Sequence, residues 1–218
     1  IRQRVIAELE PDFVLVTSLF EGLGDDAVTT VRNPFCSAPS AVILYDLIPL
    51  IYKDRYLHYP AAESWYFSKL KELKAADLWL SISDSSRQEG IDYLGLNAQR
   101  SVSISTDADA HFHRQRMSSV EKDRLLAKYA LDRAFVMYTG GVDHRKNIEG
   151  LIEAYARLPR DLREQHQLAV VCSIDDAVRR RLEALRENVG LRANELVLTG
   201  FVPETDLVGL YRLCKLFV

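Results

Sequence analysis

The segment FVMYTGGVDHRKNIEGLIEAYARL, residues 135–158, holds the pattern from which the fold can be read. It opens on a short apolar run, 135–139, which has the composition of a buried strand. Gly140 and Gly141 follow, and then a polar turn ending in Arg145, Lys146 and Asn147. Beyond the turn, Ile148, Leu151, Ile152 and Tyr155 recur at helical spacing on one face. A strand, a glycine turn and a helix in succession make the first half of a βαβ unit.

The same alternation continues on both sides. Downstream, the sequence predicts strands at 168–172 and 196–199, helices at 175–188 and 207–213, and the start of a strand at 216–218. Upstream, a helix over 1–9 stops at Pro11, and apolar strands lie at 13–20, 41–45, 78–82 and 101–105. Residues 21–39 read as loops and 47–60 as an irregular stretch. A helix at 61–76 offers Trp65, Phe67, Leu70 and Leu73 as its apolar face. A second, at 85–94, opens on capping-box spacings Ser85–Gln88 and Ser86–Glu89 and closes at Gly95. Between the halves, TDADAHFHRQRMSS (106–119) is polar and aperiodic, and Ser118, Ser119 and Glu121 then start a helix running to 130. Short buried strands joined by helices imply parallel sheets covered on both faces. The fold class is therefore α/β, with two Rossmann-like doubly wound lobes. Residues 1–112 form the first, 113–132 a linker and connecting helix, and 133–218 the second.

Composition narrows the function. The chain has 218 residues, 48% hydrophobic and 27% charged, as in ordinary globular proteins. A net charge of -3 argues against a nucleic-acid partner held by bulk positive charge. The basic run RRR at 179–181 reads as the solvated face of a helix. Cys36, Cys172 and Cys214 are scattered, without a CxxC pair, so neither a zinc site nor a disulfide framework is expected. His111 and His113 form HxH with no third metal ligand beside them. No segment reaches the roughly 18 apolar residues of a membrane span. IRQRVIAELEPD is not a signal peptide, and both ends read as cuts through a larger protein.

Ligands of doubly wound sheets bind outside the carboxyl ends of the strands, so the residues that follow each strand are the site candidates. Gly140 and Gly141 let the backbone come close to a ligand. The helix after Asn147 presents free amides and a positive dipole end, to which Lys146 adds a point charge and Arg145 a planar fork. These are the parts of a phosphate or diphosphate grip, although the same residues would also serve as a polar turn with two solvated cations. Neither GxGxxG nor a Walker pattern is present. After 196–199, Gly200, Phe201 and Val202 could leave backbone groups open to a flat base, or make a plain turn. Asp46 stands after the strand at 41–45, placed either for chemistry or to tie down its own loop. Tyr45, Tyr52, Tyr56 and Tyr59 could line a sugar groove or pack beneath that loop.

Four segments together resemble the GT-B glycosyltransferase family 4: AVILYDLIPLIY (41–52), ADLWLSISDSSRQEGIDYLG (76–95), the opening segment, and ELVLTGFVPETDLVGLYRLCKLFV (195–218). The resemblance implies a retaining transferase of polysaccharide or glycolipid assembly. A nucleotide-sugar donor would bind the carboxyl lobe and a saccharide or lipid-linked saccharide acceptor the amino lobe. No essential metal or cofactor is implied. Lys146, with Gly140, Gly141 and Arg145, would hold the donor diphosphate, while Gly200, Phe201 and Val202 would meet the base. Lys146 and Asp46 are the catalytic candidates. The transferred group would be a hexose, with mannose among the candidates.

The chain departs from the family pattern at two positions. Gly141 stands where many members carry an arginine, and Tyr45 where many carry a histidine. If the grip is intact, Arg145 supplies the missing cation. The family's Glu-x7-Glu pair is expected beyond residues 216–218, and the first amino-lobe strand before Ile1. Both lobes are thus read as incomplete and the chain alone as inactive. A cytoplasmic enzyme is expected, with peripheral membrane association open to its full-length form. The alternatives are a catalytically silent nucleotide-sugar-binding scaffold and a nucleotide-sugar epimerase-like protein.

Overall fold

The computed structural model describes residues 1–218, which divide into two units, Ile1–Ala108 and Asp109–Val218. The first unit runs α1 (Arg2–Glu8), β1 (Val14–Val16), β2 (Ser40–Leu44), α2 (Ile48–Ile51), α3 (Lys53–Tyr56), α4 (Pro60–Lys74), β3 (Leu78–Ser81), α5 (Asp84–Leu94) and β4 (Ser101–Ser103). Its four strands pair in parallel in the order β1-β2-β3-β4. Val16, Val42, Leu44, Leu70, Leu73 and Trp79 form its core. Helix α5 lies close on β2: a Cβ at Gly90 would come within 2.9 Å of Leu44 Cδ2.

Three features here differ from the sequence expectation. The stretch 47–60 folds into α2 and α3, because Pro49 sits in the first turn of α2, where the missing N–H costs nothing. Helix α4 buries Tyr66 with Leu70 and Leu73, while Trp65 and Phe67 are half-buried. Neither Ser85 nor Ser86 caps α5. Ser83 does, its hydroxyl accepting from the Ser86 amide at 3.1 Å, while the Ser86 hydroxyl donates to the Tyr45 carbonyl at 2.6 Å.

The second unit contains α6 (Ser119–Lys128), β5 (Ala134–Thr139), α7 (Ile148–Ala156), α8 (Arg160–Gln165), β6 (His166–Val171), α9 (Asp176–Asn188), β7 (Leu196–Leu198), α10 (Glu204–Leu213) and β8 (Leu216–Phe217). The parallel order is β7-β6-β5-β8. The chain steps outward from β5 to β6 to β7, then returns through α10 to lay β8 against the other side of β5. Strand β6 shows why a run such as LAVV has no polar alternation. Leu168 and Val170 face Ile152, Tyr155 and Leu182 of α7 and α9, and Ala169 and Val171 face Leu125 and Leu210 of α6 and α10. Each large aliphatic side chain buried in this way contributes about 1.5–3 kcal/mol.

Residues 109–118 belong to this unit. Arg212 donates to the His113 carbonyl at 3.1 Å and to the His111 carbonyl at 3.4 Å. Ser118 and Glu121 form the capping box of α6. Asp206 of α10 then receives the Lys128 ammonium at 2.6 Å and the Tyr129 hydroxyl at 2.7 Å. Helix α8 is an element that sequence periodicity does not reveal. It is six polar-rich residues whose Arg163 reaches the buried Glu195 at 3.0 Å.

The amino edge of this sheet is closed by one amide. Gln167, 1% exposed, accepts from the Asp132 and Arg133 amides at 2.9 and 3.3 Å and donates to the Ala130 and Asn194 carbonyls at 3.2 and 3.0 Å. Replacing it removes four hydrogen bonds from part-buried backbone groups, and a polar group left unpaired away from water costs about 1–3 kcal/mol. Gln167→Leu is therefore expected to lower unfolding stability by roughly 3 kcal/mol in denaturant titrations. A loss below about 1 kcal/mol would show that these bonds are dispensable.

Candidate functional site

The order β7-β6-β5-β8 reverses direction at β5, and in an open parallel sheet the ligand crevice lies at that reversal. Strand β5 delivers Thr139, Gly140 and Gly141 there. Thr139 Oγ1 donates to the Val171 carbonyl at 2.8 Å, tying the ends of β5 and β6 together. Gly140 has φ +147°, a conformation that L side chains rarely adopt, and a Cβ there would stand 3.1 Å from the Tyr138 hydroxyl. That hydroxyl donates to the Gly141 carbonyl at 2.8 Å and so props the loop from beneath. Burial raises the Tyr138 pKa, with Cys172 adding to the effect, so the hydroxyl stays a donor. Gly141 is different: a Cβ there meets nothing within 4 Å. The first carbon of a side chain would fit there without a clash.

The polar turn folds as a 3-10 turn over His144–Lys146, capped by Asp143. The Asp143 carboxylate accepts from the Arg145 amide at 3.1 Å and pairs with Arg145 Nε, also at 3.1 Å. Arg145 is therefore held by one edge of its fork, while Lys146 is exposed. Asn147 takes the left-handed conformation, φ 49°, and its side chain accepts from the Gly150 amide at 3.3 Å to start α7. Gly150 is required by that cap, since a Cβ there would meet the Asn147 side chain at 2.5 Å. The dipole of α7 thus points its positive end at the loop carrying Arg145 and Lys146. Glu149, in the first turn, is drawn aside by Arg181 at 3.0 Å.

At the edge of the same sheet, Gly200 has φ +73° after β7. The Arg179 guanidinium bonds the Leu198 carbonyl at 3.3 Å through both terminal nitrogens, fixing the strand end. Arg179 is thus partly withdrawn from the solvated face expected for RRR. Phe201 is 76% exposed, and Val202 packs into the lower core. The three base-binding candidates therefore differ: Gly200 is half-buried beside Arg179, Phe201 is exposed, and Val202 anchors the turn.

In the first unit, Asp46 accepts from the Ile48 amide at 3.0 Å, which fixes the entry to α2. It also lines a cavity of about 290 Å³ with Ser18, Leu19, Phe20, Tyr45, Pro49, Trp65 and Tyr66. Phe20 stacks on Tyr66 with ring centres 5.1 Å apart and meets Trp65 edge-on at 6.3 Å. Of the four tyrosines in the sequence stretch, Tyr45 lines this cavity and Tyr56 packs against the core, while Tyr52 and Tyr59 are exposed. Burial pushes the Tyr66 pKa well above the ordinary tyrosine value, and the nearby Asp46 carboxylate adds to the rise. The Leu50 amide opposes that shift but is already bonded to the Leu47 carbonyl at 2.9 Å.

His111 lies between two carboxylates, with Nδ1 2.6 Å from Asp109 and Nε2 2.8 Å from Glu204. His113 Nδ1 faces the Ala110 carbonyl at 2.9 Å. Sequence reasoning missed Asp143, Tyr138 and the pair Trp65–Tyr66. Asp143 had a signal, an aspartate two residues before the amide it caps. The others act through tertiary contacts that no spacing announces. No helix is long and apolar enough to cross a membrane.

Residues 121–218 match the family of glycosyl transferases group 1. Over 217 residues, the whole of this chain, the sequence is 35% identical to the serotype-specific mannosyltransferase WbdA of Escherichia coli, of whose length the chain spans 27%. It is 31% identical over 152 residues, 68% of this chain and 38% of the relative, to the O-antigen chain mannosyltransferase B of Escherichia coli. Among solved structures, Anabaena Alr3699/HepE in complex with UDP superposes with a TM-score of 0.65 at 18% identity, over 99% of this chain and 55% of its own. A glycosyltransferase from Rickettsia africae gives 0.65 at 16% identity, over 99% and 54%. Residues 121–218 therefore carry the match to glycosyl transferases group 1, while the chain as a whole is similar in sequence to two mannosyltransferases and in fold to a solved glycosyltransferase.

Proposed function

We propose that this chain is part of a retaining hexosyltransferase that moves mannose from a nucleotide-sugar donor to a saccharide acceptor in polysaccharide assembly. The observation that carries the donor assignment is the loop at the reversal of the second sheet. There Gly140 opens the backbone, and Arg145 and Lys146 stand beside the start of α7. A nucleotide diphosphate gains negative charge as its bond to the sugar breaks, and fixed positive groups at that point lower the barrier. Lys146 is assigned the leaving-group charge and Arg145 the diphosphate. Gly200 and Phe201 are assigned the base, with the exposed Phe201 ring offering it a stacking face. With two cations and a helix dipole supplying the positive field, the reaction is proposed to need no metal and no further cofactor. Mannose is supported by the two mannosyltransferase relatives, and a saccharide acceptor by the O-antigen name of one. Asp46 is assigned to the acceptor side, where it holds its loop and lines the aromatic cavity.

In the full-length protein, Lys146→Ala is expected to lower kcat/KM for the donor about 100- to 1,000-fold, the cost of deleting one preorganised charge-stabilising donor. Unchanged steady-state kinetics would remove Lys146 from the mechanism. Arg145→Ala should raise the donor KM about tenfold or more, as loss of a charged phosphate contact does. Because Gly141 has open space around it, adding Gly141→Arg to that variant should recover part of the loss. An unchanged donor KM in Arg145→Ala would mean that Asp143 holds the arginine for structure alone.

A further inference from the structure

A groove between α6 and α10 in the second unit holds positive charge that the fold leaves unpaired. Its volume is about 420 Å³, within the usual range of ligand pockets. Arg116, Arg124, Lys128 and Arg212 line it, against two carboxylates, Glu121 and Asp206. Both carboxylates are committed to the fold. Glu121 accepts from the Ser118 amide and hydroxyl at 3.0 and 2.7 Å. Asp206 accepts from Lys128 and Tyr129 at 2.6 and 2.7 Å. Arg212 gives Nε and Nη2 to the His113 and His111 carbonyls, and its Nη1 donors remain. Arg116 and Arg124 are exposed and make no hydrogen bond or ion pair; Arg124 acts on Asp206 only through its charge. Four cations against two carboxylates leave the groove positive, in a chain whose net charge is -3. Met117 and Leu125 add apolar surface to the wall. A Cβ at Gly209 would come 2.5 Å from Leu125 Cδ2, so this glycine lets α10 lie directly on α6. Guanidinium forks match the oxygens of a phosphate, which carries more of them than a carboxylate does. The carbon stem of a phosphate ester would lie on Met117 and Leu125. The negative charge of the whole chain disfavours a nucleic acid as the source of that phosphate.

We propose that this groove is a second anion site, in which Arg116 and Arg124 take the phosphate group of a phosphate ester, either a soluble one or a lipid headgroup. It is separate from the donor loop, since neither Arg145 nor Lys146 lines it, and it does not rest on the transferase reading.

The test uses the full-length protein and the double variant Arg116→Gln/Arg124→Gln. Both side chains are exposed and unpaired, so the Tm should stay at its wild-type value. Binding is measured in two arms: calorimetric titration with sn-glycerol 3-phosphate, and co-sedimentation with vesicles of phosphatidylcholine with and without phosphatidylglycerol. In whichever arm the wild type binds, the double variant should bind at least tenfold more weakly, the effect of losing charged hydrogen bonds to phosphate. Lys146→Ala should leave that binding unchanged. Binding of glycerol 3-phosphate in solution assigns the site to a soluble ester; binding only to the phosphatidylglycerol vesicles assigns it to a lipid headgroup. Wild-type affinity in the double variant, or no binding by the wild type in either arm, overturns the site. A loss of binding in Lys146→Ala, or a raised donor KM in the double variant, would place the phosphate at the donor loop and overturn a second site as well. Absence of transferase activity in the wild type would sink the transferase reading and leave both binding arms to decide the groove.

Discussion

Parallel pairing on both sides of β5 is the constraint on which the second unit depends. A parallel strand can be followed by another parallel strand only after a crossover, so all the turns that leave the strands gather at one edge. The register from Ala134↔His166 through Thr139↔Val171 brings the ends of β5 and β6 level, and β8 closes the other side of β5. The loop with Gly140, Arg145 and Lys146 therefore sits where the winding changes direction. The same residues after an edge strand would have only a solvated turn to offer.

Charge is organised around that loop more finely than residue type suggests. Asp143 does two things, capping the 3-10 turn and holding Arg145 by Nε. Glu149 would weaken the positive end of α7, but Arg181 draws it aside. Tyr138 supports the glycine turn from the buried side, with burial keeping its proton in place. Gly141 adds no charge to the loop, although a Cβ there would meet nothing within 4 Å.

The first unit shows a different economy. Asp46 serves its own loop and the cavity at once, and these two roles are not alternatives. The aromatic wall of that cavity comes from three separate places: the segment after β1, the end of β2, and α4. Aromatic residues supply rigid contact area and, through tyrosine and tryptophan, a polar handle.

From the sequence alone, the α/β class, nearly every strand, the cap at Gly95 and the glycine turn between β5 and α7 were legible. They rest on local rules: apolar runs, helical periodicity, and glycines that tolerate positive φ. Local rules also misplaced the start of α5, where Ser83 outcompeted Ser85 and Ser86 because Ser86 is recruited by the Tyr45 carbonyl from another strand. They missed α8, too short and polar for periodicity, which is held by Arg163 on the buried Glu195. Only the tertiary structure decided which side chains meet: Tyr138 beneath Gly141, Gln167 across the sheet edge, and Phe20 with Trp65 and Tyr66 around one cavity. Sequence spacing fixes neighbours along a helix or a strand. Contacts between segments tens of residues apart depend on strand order and register, which emerge when the whole sheet is assembled.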